Sequence, residues 1–547
     1  MENEKNSKNA TIYIILALVM GAIVGITGST MAYRKHISQI ASATVTTDTK
    51  LGAIWSLVNN YYVDPIDADS VMDRVYESIL STLDPHSSYM SKEVFTKEQE
   101  VLRGNFEGIG IIIRPVSDTI CVAQVIPEGP SERAGLMAGD RILSVDGITV
   151  AGVKMPSDSV ISMLRGPRKS VADIQILRLS DKKTHRFKIV RDIIKSPSLT
   201  YSGMLDKQTG YIRLNRFGET TYDEFREATI QLKREGMKRM VLDLRNNGGG
   251  TLSSAIDICD ELLPGRELIV YTKGQHQRRK DAHSTPGGLF CKGDLVVMID
   301  EFSASASEIV AGAIQDNDRG IIVGRRSFGK GLVQQQFPLP DQSAVMLTIA
   351  RYYTPSGRCI QRPYDRGTDE YYSNFVQQVM NEYNGDSLLS QINDSTPYHT
   401  SKGRIVYGGG GIMPDKIIRY KTDTNIVYYN KLLNNSIINN YVFDHVSRKG
   451  GEIKSHYADE KEFLDNYTVS DDMLGELFDL ADKKGIRRND KSIKLFREEI
   501  RTRIKAEIGD MLYGSNTFYK LILPYDPEIE DALKEITKQH NWKRIGQ

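Results

Sequence analysis

Residues 296–336 read VVMIDEFSASASEIVAGAIQDNDRGIIVGRRSFGKGLVQQQ, and the fold is decided here. An apolar strand, Val296 to Ile299, runs into a turn of small residues, and a helix begins near Ser305. A glycine-rich loop follows, carrying Lys330. Small residues let the backbone turn sharply and approach a substrate closely. The start of a helix leaves unpaired N–H groups facing whatever binds there. A serine at such a junction, with an amine returned to it by the next loop, is the layout of a nucleophile and its base. The same residues, Ser305-Ala306-Ser307-Glu308, also fit a capping box, in which serine and glutamate only satisfy the helix end.

Upstream, Met240–Leu244 reads as a buried strand leading into Arg245-Asn246-Asn247-Gly248-Gly249-Gly250, where three glycines permit a tight turn. Strand Gly210–Leu214 and helix Asp223–Arg234 precede it, and strand Ala344–Tyr353 follows the lysine loop. Strands alternating with helices predict an α/β core. With SASASE and FGKGLVQ in place, and with DLRNNGGG, ARYYTPSGRCIQ and GGGGIMPD around them, the chain resembles the C-terminal processing peptidases (tail-specific proteases, serine peptidase family S41). The resemblance implies an α/β (α+β) multidomain protein with a ClpP/crotonase-like core. It further implies Ser305 as nucleophile, Lys330 as general base and Gln334 as the group that orients the lysine. By the same resemblance the amides of Gly250 and Ala306 form the oxyanion hole, where one donor is typically worth about 3–4 kcal/mol of barrier.

Residues 101–190 resemble a PDZ domain. Gly108, Ile109, Gly110 and Ile111, in FEGIGI, match its carboxylate-binding loop, in which successive amides form a nest for a terminal carboxylate. Strand Ile111–Arg114 would then offer its edge to an extended peptide. AGLMAGDRILSVDG supplies the remaining turn, strand and Asp146-Gly147 hairpin. LDPHSSYM, ending a helical stretch, resembles a motif found just before that domain in the same peptidases. His86 is assigned a structural role, because serine and lysine already supply nucleophile and base.

The length of 547 residues suggests three or four domains. Lys+Arg number 71 against 70 Asp+Glu, so charge gives no reason to expect a nucleic-acid partner. Thr11–Tyr33 carries no charge and is long enough to span a bilayer; it is read as an uncleaved signal anchor, with Thr30 and Ala32 offering a weak cleavage site as the alternative. Lys5 and Lys8 on one side and Arg34 and Lys35 on the other leave its orientation undecided. The family resemblance implies a single-pass inner-membrane protein of the bacterial envelope with a periplasmic catalytic part. Cys121, Cys259, Cys291 and Cys359 are scattered, without metal spacing, and at least two are expected to be small buried residues. Neither a metal nor a cofactor is implied. The expected division is an anchor (1–36), a helical segment (37–100), the PDZ domain (101–190), a peptidase core (191–425, with an insertion at about 362–404) and a helical end (426–547) that packs on the core or makes a dimer.

A lysine acts as a base only when neutral, and bringing its free pKa near 10.4 to about 7 costs roughly 4–5 kcal/mol. Burial beside Phe328, Gly329, Gly331 and Val333 would disfavour the ammonium, and Arg325 and Arg326 would add positive potential where they face inward. No G-x-S-x-G elbow, S-x-x-K pair at Ser305 or H-E-x-x-H is present. The reading is a membrane-anchored extracytoplasmic serine endopeptidase that selects protein or peptide substrates by their C-termini, with room for a homodimer and for an activator or adaptor protein. The alternative is a non-catalytic or activator-dependent PDZ scaffold, which predicts a lost serine or lysine; both are present.

Overall fold

The computed structural model describes residues 50–384, 396–420 and 426–545. The expected signal anchor at 11–33 lies outside them, as does part of the 362–404 insertion. Among the described residues no helix is long and apolar enough to cross a membrane. The chain divides into two compact units, one of residues up to Phe95 with Gln336–Leu347, the other of Thr96–Gln335 with Thr348–Gln547.

In the smaller unit, helices Lys50–Tyr61 and Ala68–Ser81 match the helical periodicity. The carboxylate of Asp67 caps the second by accepting the Ser70 N–H. After LDPHS, where the helical stretch is expected to end, comes a short strand, Ser88–Met90, antiparallel to Ala344–Met346. Asp84 accepts the His86 and Ser87 amides and the Ser87 hydroxyl, so LDPHSS is a side-chain-closed turn.

Among the described residues the larger unit contains two six-stranded sheets beside smaller ones. Strands Ile111–Val116, Thr119–Val125, Arg141–Val145, Val171–Arg178 and Lys183–Val190 pair antiparallel in the order 1-2-3-4-5, leaving Ile111–Val116 at the edge. Their inward side chains, among them Val122, Ile142, Ile174 and Ile176, form a separate apolar core. Gly135, at φ 89°, ends the short helix Pro130–Ala134, and Asp146 and Gly147 take the positive φ values that the hairpin needs.

The second sheet is the centre of the molecule's chemistry. Strands Thr209–Leu214, Arg239–Asp243, Asp294–Ile299, Ile321–Gly324 and Lys416–Ile417 run parallel in that order, and Leu199–Met204 pairs antiparallel at one edge. Helices Thr221–Arg234, Leu252–Leu262 and Ala306–Asp316 contribute to the apolar layer on one face. The last helix, Pro527–Ile545, covers the other, packing Ile529, Ala532 and Ile536 on Val241, Val296, Met298 and Val323. Parallel strands buried on both faces read as unbroken apolar runs, and all six residues of Asp294–Ile299 are buried. Three adjacent strands therefore release the glycine, serine and lysine loops together at their C-terminal ends, where open α/β sheets bind ligands.

The 362–404 insertion contains a helix, Thr368–Asn384, whose Tyr371 and Phe375 rings pack against Phe328 beside the lysine loop, with the Arg362 guanidinium over all three rings. The C-terminal helices, including Ile437–His456, Asp471–Lys483 and Arg497–Tyr513, have their own core. Helices Asp490–Leu495 and Arg497–Tyr513 are separated at Phe496. This helical region holds the first β layer: Arg114 donates to the Asn439 carbonyl (2.9 Å) and Gln124 to the Asp510 carbonyl (2.9 Å). A cavity of about 610 Å³ lies between them. Cys121 and Cys259 are buried, as expected of small apolar residues.

Candidate active site

The serine cluster is sorted by hydrogen bonding. Ser303 and Ser307 are fully buried, and their hydroxyls donate to the carbonyls of Leu244 (2.8 Å) and Asn247 (2.9 Å), fastening the turn to the end of the neighbouring strand. Ser305, between them, is only half-buried. Its backbone sits at φ 54°, ψ −112°, outside the regions that L-residues favour, and such strain collects at functional sites. Helix Ala306–Asp316 begins at the next residue.

Glu308 joins this turn to the lysine loop. Its side chain is fully buried, and one oxygen, Oε2, accepts both the Ser305 amide (2.8 Å) and the Lys330 amide (2.9 Å). The other, Oε1, accepts the Ser327 hydroxyl (2.6 Å) and the Gly329 amide (2.7 Å). Burial pushes this carboxyl up to about 7, against the pull of its four donors. From the opposite side the buried Tyr352 hydroxyl reaches the carbonyls of both Ser305 and Lys330. The backbones of the predicted nucleophile and base are thus tied twice to common groups.

The glycine loop closes the third side. Gly249, at φ 98°, packs so tightly that a Cβ there would lie 2.8 Å from Ser305 Cβ and 2.7 Å from the Ala304 carbonyl oxygen. Its amide donates to the Asn247 side chain. Gly250 bridges to Phe217, whose carbonyl would sit 2.0 Å from a Cβ at that position. Among the described residues, neither the Gly250 nor the Ala306 amide donates to another protein group. Gln334 lies, half-buried, on the strand Leu332–Pro338 that leaves the lysine loop. Arg325 is paired with the carboxylates of Glu301 and Glu528, and Arg326 donates to the Gly410 carbonyl.

Gly108 ends the strand Asn105–Gly108, which pairs with Asp192–Lys195 apart from the first β layer, and Ile109 and Gly110 lead from it into Ile111, which opens that layer's edge strand. The Ile109 carbonyl accepts the amide and hydroxyl of Ser131, which fixes the loop. Among the described residues the Ile109 and Gly110 amides donate to no protein group. No group of His, Cys, Asp or Glu suited to a metal ion occurs among the described residues.

Sequence reasoning assigned Glu308 only a helix-capping role and did not single out Tyr352, Gly249 or the ion pairs behind the loops. The S-x-x-E spacing was the one local sign of Glu308; the others meet across long separations and leave no pattern along the chain.

A strand-loop-helix serine beside a glycine loop and a lysine loop defines a hydrolase of the acyl-transfer type. The comparisons with known proteins identify which. The Peptidase family S41 pattern matches residues 208–369, a PDZ domain pattern residues 121–178, and a family of unknown function residues 428–514. The carboxy-terminal-processing protease of Bartonella bacilliformis is 39% identical over 319 residues, covering 57% of this chain and 72% of its own. The carboxyl-terminal-processing protease of Synechocystis sp. is 31% identical over 366 residues, 64% of this chain and 84% of the relative. The solved photosystem II D1 C-terminal processing protease is 29% identical, covers 55% of this chain and 82% of its own, and superposes with a TM-score of 0.32. The chain belongs to peptidase family S41 and is a serine-type C-terminal processing protease with a PDZ domain.

Proposed function

We propose that the protein is a membrane-anchored, extracytoplasmic endopeptidase working through a Ser305–Lys330 dyad and choosing its substrates by their C-terminal tails. The observation that carries the dyad is the convergence of the Ser305 and Lys330 amides on one buried oxygen of Glu308. Neutral Lys330 takes the Ser305 hydroxyl proton as Oγ attacks the scissile carbonyl. The Gly250 and Ala306 amides receive the oxyanion. Collapse breaks the C–N bond, the lysine returns its proton to the leaving amine, and water then releases the acyl group by the same steps in reverse roles. Gln334 orients the lysine through a neutral hydrogen bond, which unlike a carboxylate does not favour the ammonium.

The PDZ loop Gly108–Ile111 receives the substrate's terminal carboxylate, and the open edge of Ile111–Val116 pairs with the tail as an added strand. Support comes from that unpaired edge and from the undonated Ile109 and Gly110 amides. Anchoring rests on the uncharged segment Thr11–Tyr33. An unfolded protein ending in an apolar residue is cut by wild type, more slowly when its C-terminus is amidated. Ser305→Ala and Lys330→Ala each lower kcat by at least about a thousandfold. Cutting that persists in both variants removes the dyad, and indifference to amidation removes tail capture.

A further inference from the structure

Behind the three loops lies a set of buried ion pairs. Arg245 stands two residues beyond the strand Arg239–Asp243, at the root of the glycine loop. Glu301 stands two beyond Asp294–Ile299, at the root of the serine turn, and Arg325 one beyond Ile321–Gly324, at the root of the lysine loop. Arg325 donates to Glu301 (2.8 Å), and Arg245 to Asp243 (2.7 Å). The first ties the lysine loop to the serine turn; the second stays within the strand and root of the glycine loop.

The link between them comes from the far end of the chain. Glu528 accepts Arg245 Nη1 on Oε2 (2.8 Å) and Arg325 Nη1 on Oε1 (2.5 Å). Asp526 accepts Arg245 Nη2 (2.8 Å) and also the Glu528 amide (2.9 Å), which holds the two acids in register. Both start the helix Pro527–Ile545, whose placement is set by its apolar face against the sheet. The arginine side chains are 9% and 7% exposed, so these are interior pairs; with Glu528 removed, Arg245 keeps Asp243 and Asp526 and Arg325 keeps Glu301, but nothing bridges the two arginines. Without Glu528, the two guanidiniums lose the one carboxylate they share, and with it the direct tie between the roots of the glycine and lysine loops.

We propose that Glu528, assisted by Asp526, is a positioning residue of the proteolytic site: it clamps the roots of the glycine and lysine loops so that the oxyanion donors and the base keep their distance from Ser305. The C-terminal helix thereby acts in catalysis without touching substrate, and this role rests on the reading of Ser305 and Lys330 as nucleophile and base. A misplacement of about 1 Å at reacting groups costs about a hundredfold in rate. Loss of the clamp therefore falls on kcat, while tail binding at the PDZ domain, and with it KM, is left largely as it was.

The test uses the full-length chain with an unfolded protein substrate. Four proteins are compared at a temperature well below every melting point: wild type, Glu528→Gln, Ile536→Ala on the same helix but remote from the arginines, and Ser305→Ala. The expected result for Glu528→Gln is a kcat lowered about tenfold to a hundredfold with KM changed less than about threefold. Ile536→Ala is expected to lower the melting temperature but to keep its kcat. A Glu528→Gln enzyme with the wild-type kcat overturns the proposal, as does an equal loss of kcat in Ile536→Ala. Where Glu528→Gln does not fold, Glu528→Asp, one methylene short of bridging both arginines, is held to the same two outcomes. Cleavage surviving in Ser305→Ala refutes the site itself and the clamp with it; an inert Ser305→Ala beside a fully active Glu528→Gln refutes the clamp alone.

Discussion

At Glu308 two effects oppose each other. Full burial disfavours the carboxylate, and four donors favour it; burial wins, because the carboxyl is held at about 7 against an ordinary 4.5. The phenol of Tyr352, a neighbour of Glu308, is itself pushed up by burial and stays protonated. The folded value lies above the unfolded one, so this group favours folding fully below about pH 4.5, and that preference is gone above about pH 7. Glu308→Gln cannot titrate. The unfolding free energy of wild type is therefore expected to fall, relative to that of Glu308→Gln, by roughly 3 kcal/mol between pH 4.5 and 7. Urea denaturation of both proteins at pH 5 and pH 8 measures this, and a difference that does not change with pH contradicts it. Capping accounts for one of the four bonds, the one to the Ser305 amide; the three from Ser327, Gly329 and Lys330 exist because the next strand brings its loop back across the helix start.

Among elements, the glycine loop and the serine turn meet closely. Three glycines in sequence announce a turn, but which one touches the nucleophile depends on the register of the strands before it. Arg239–Asp243 pairs with Asp294–Ile299 so that Leu244 and Asn247 receive the hydroxyls of Ser303 and Ser307, and Gly249 is drawn against Ser305. A methyl group there has no room and stands at a φ of 98°, which L-residues avoid. Gly249→Ala is expected to lower kcat/KM at least about tenfold and to destabilise the fold by about 1–3 kcal/mol. Steady-state kinetics beside a thermal melt decides, and an unchanged kcat/KM shows that the loop relaxes without disturbing Ser305.

On the scale of the whole molecule, the helices from Val427 onward serve two ends. The final helix is a layer of the peptidase core, and the helices before it hold the PDZ domain through Arg114, Gln124 and Gly139. Gly139 is at φ 92°, and a Cβ there would fall 2.4 Å from the Cα of Ser447. Gly139→Ala is expected to weaken this docking by about 1–3 kcal/mol. The measurement is amide hydrogen exchange: Ile437–His456 should exchange faster in the variant while Asp294–Ile299 does not change. Equal protection of Ile437–His456 in both proteins shows that the two surfaces do not depend on close approach at Gly139.

The α/β core, the β domain, the helical end and the three loops of the site were legible along the chain, since apolar runs, glycine turns and FGKG are local patterns with local causes. Strand Asp294–Ile299, helix Ala306–Asp316 and strand Ala344–Tyr353 form where their residues call for them. What only the tertiary structure decided is which groups meet: Glu308 with the lysine loop, Gly249 with Ser305, and Glu528 with two arginines. Such meetings depend on strand order and on the packing of a helix more than two hundred residues away from one of its partners. A charged residue in sequence shows its chemistry but not its neighbours, and in a buried site the neighbours set its charge state and its reach.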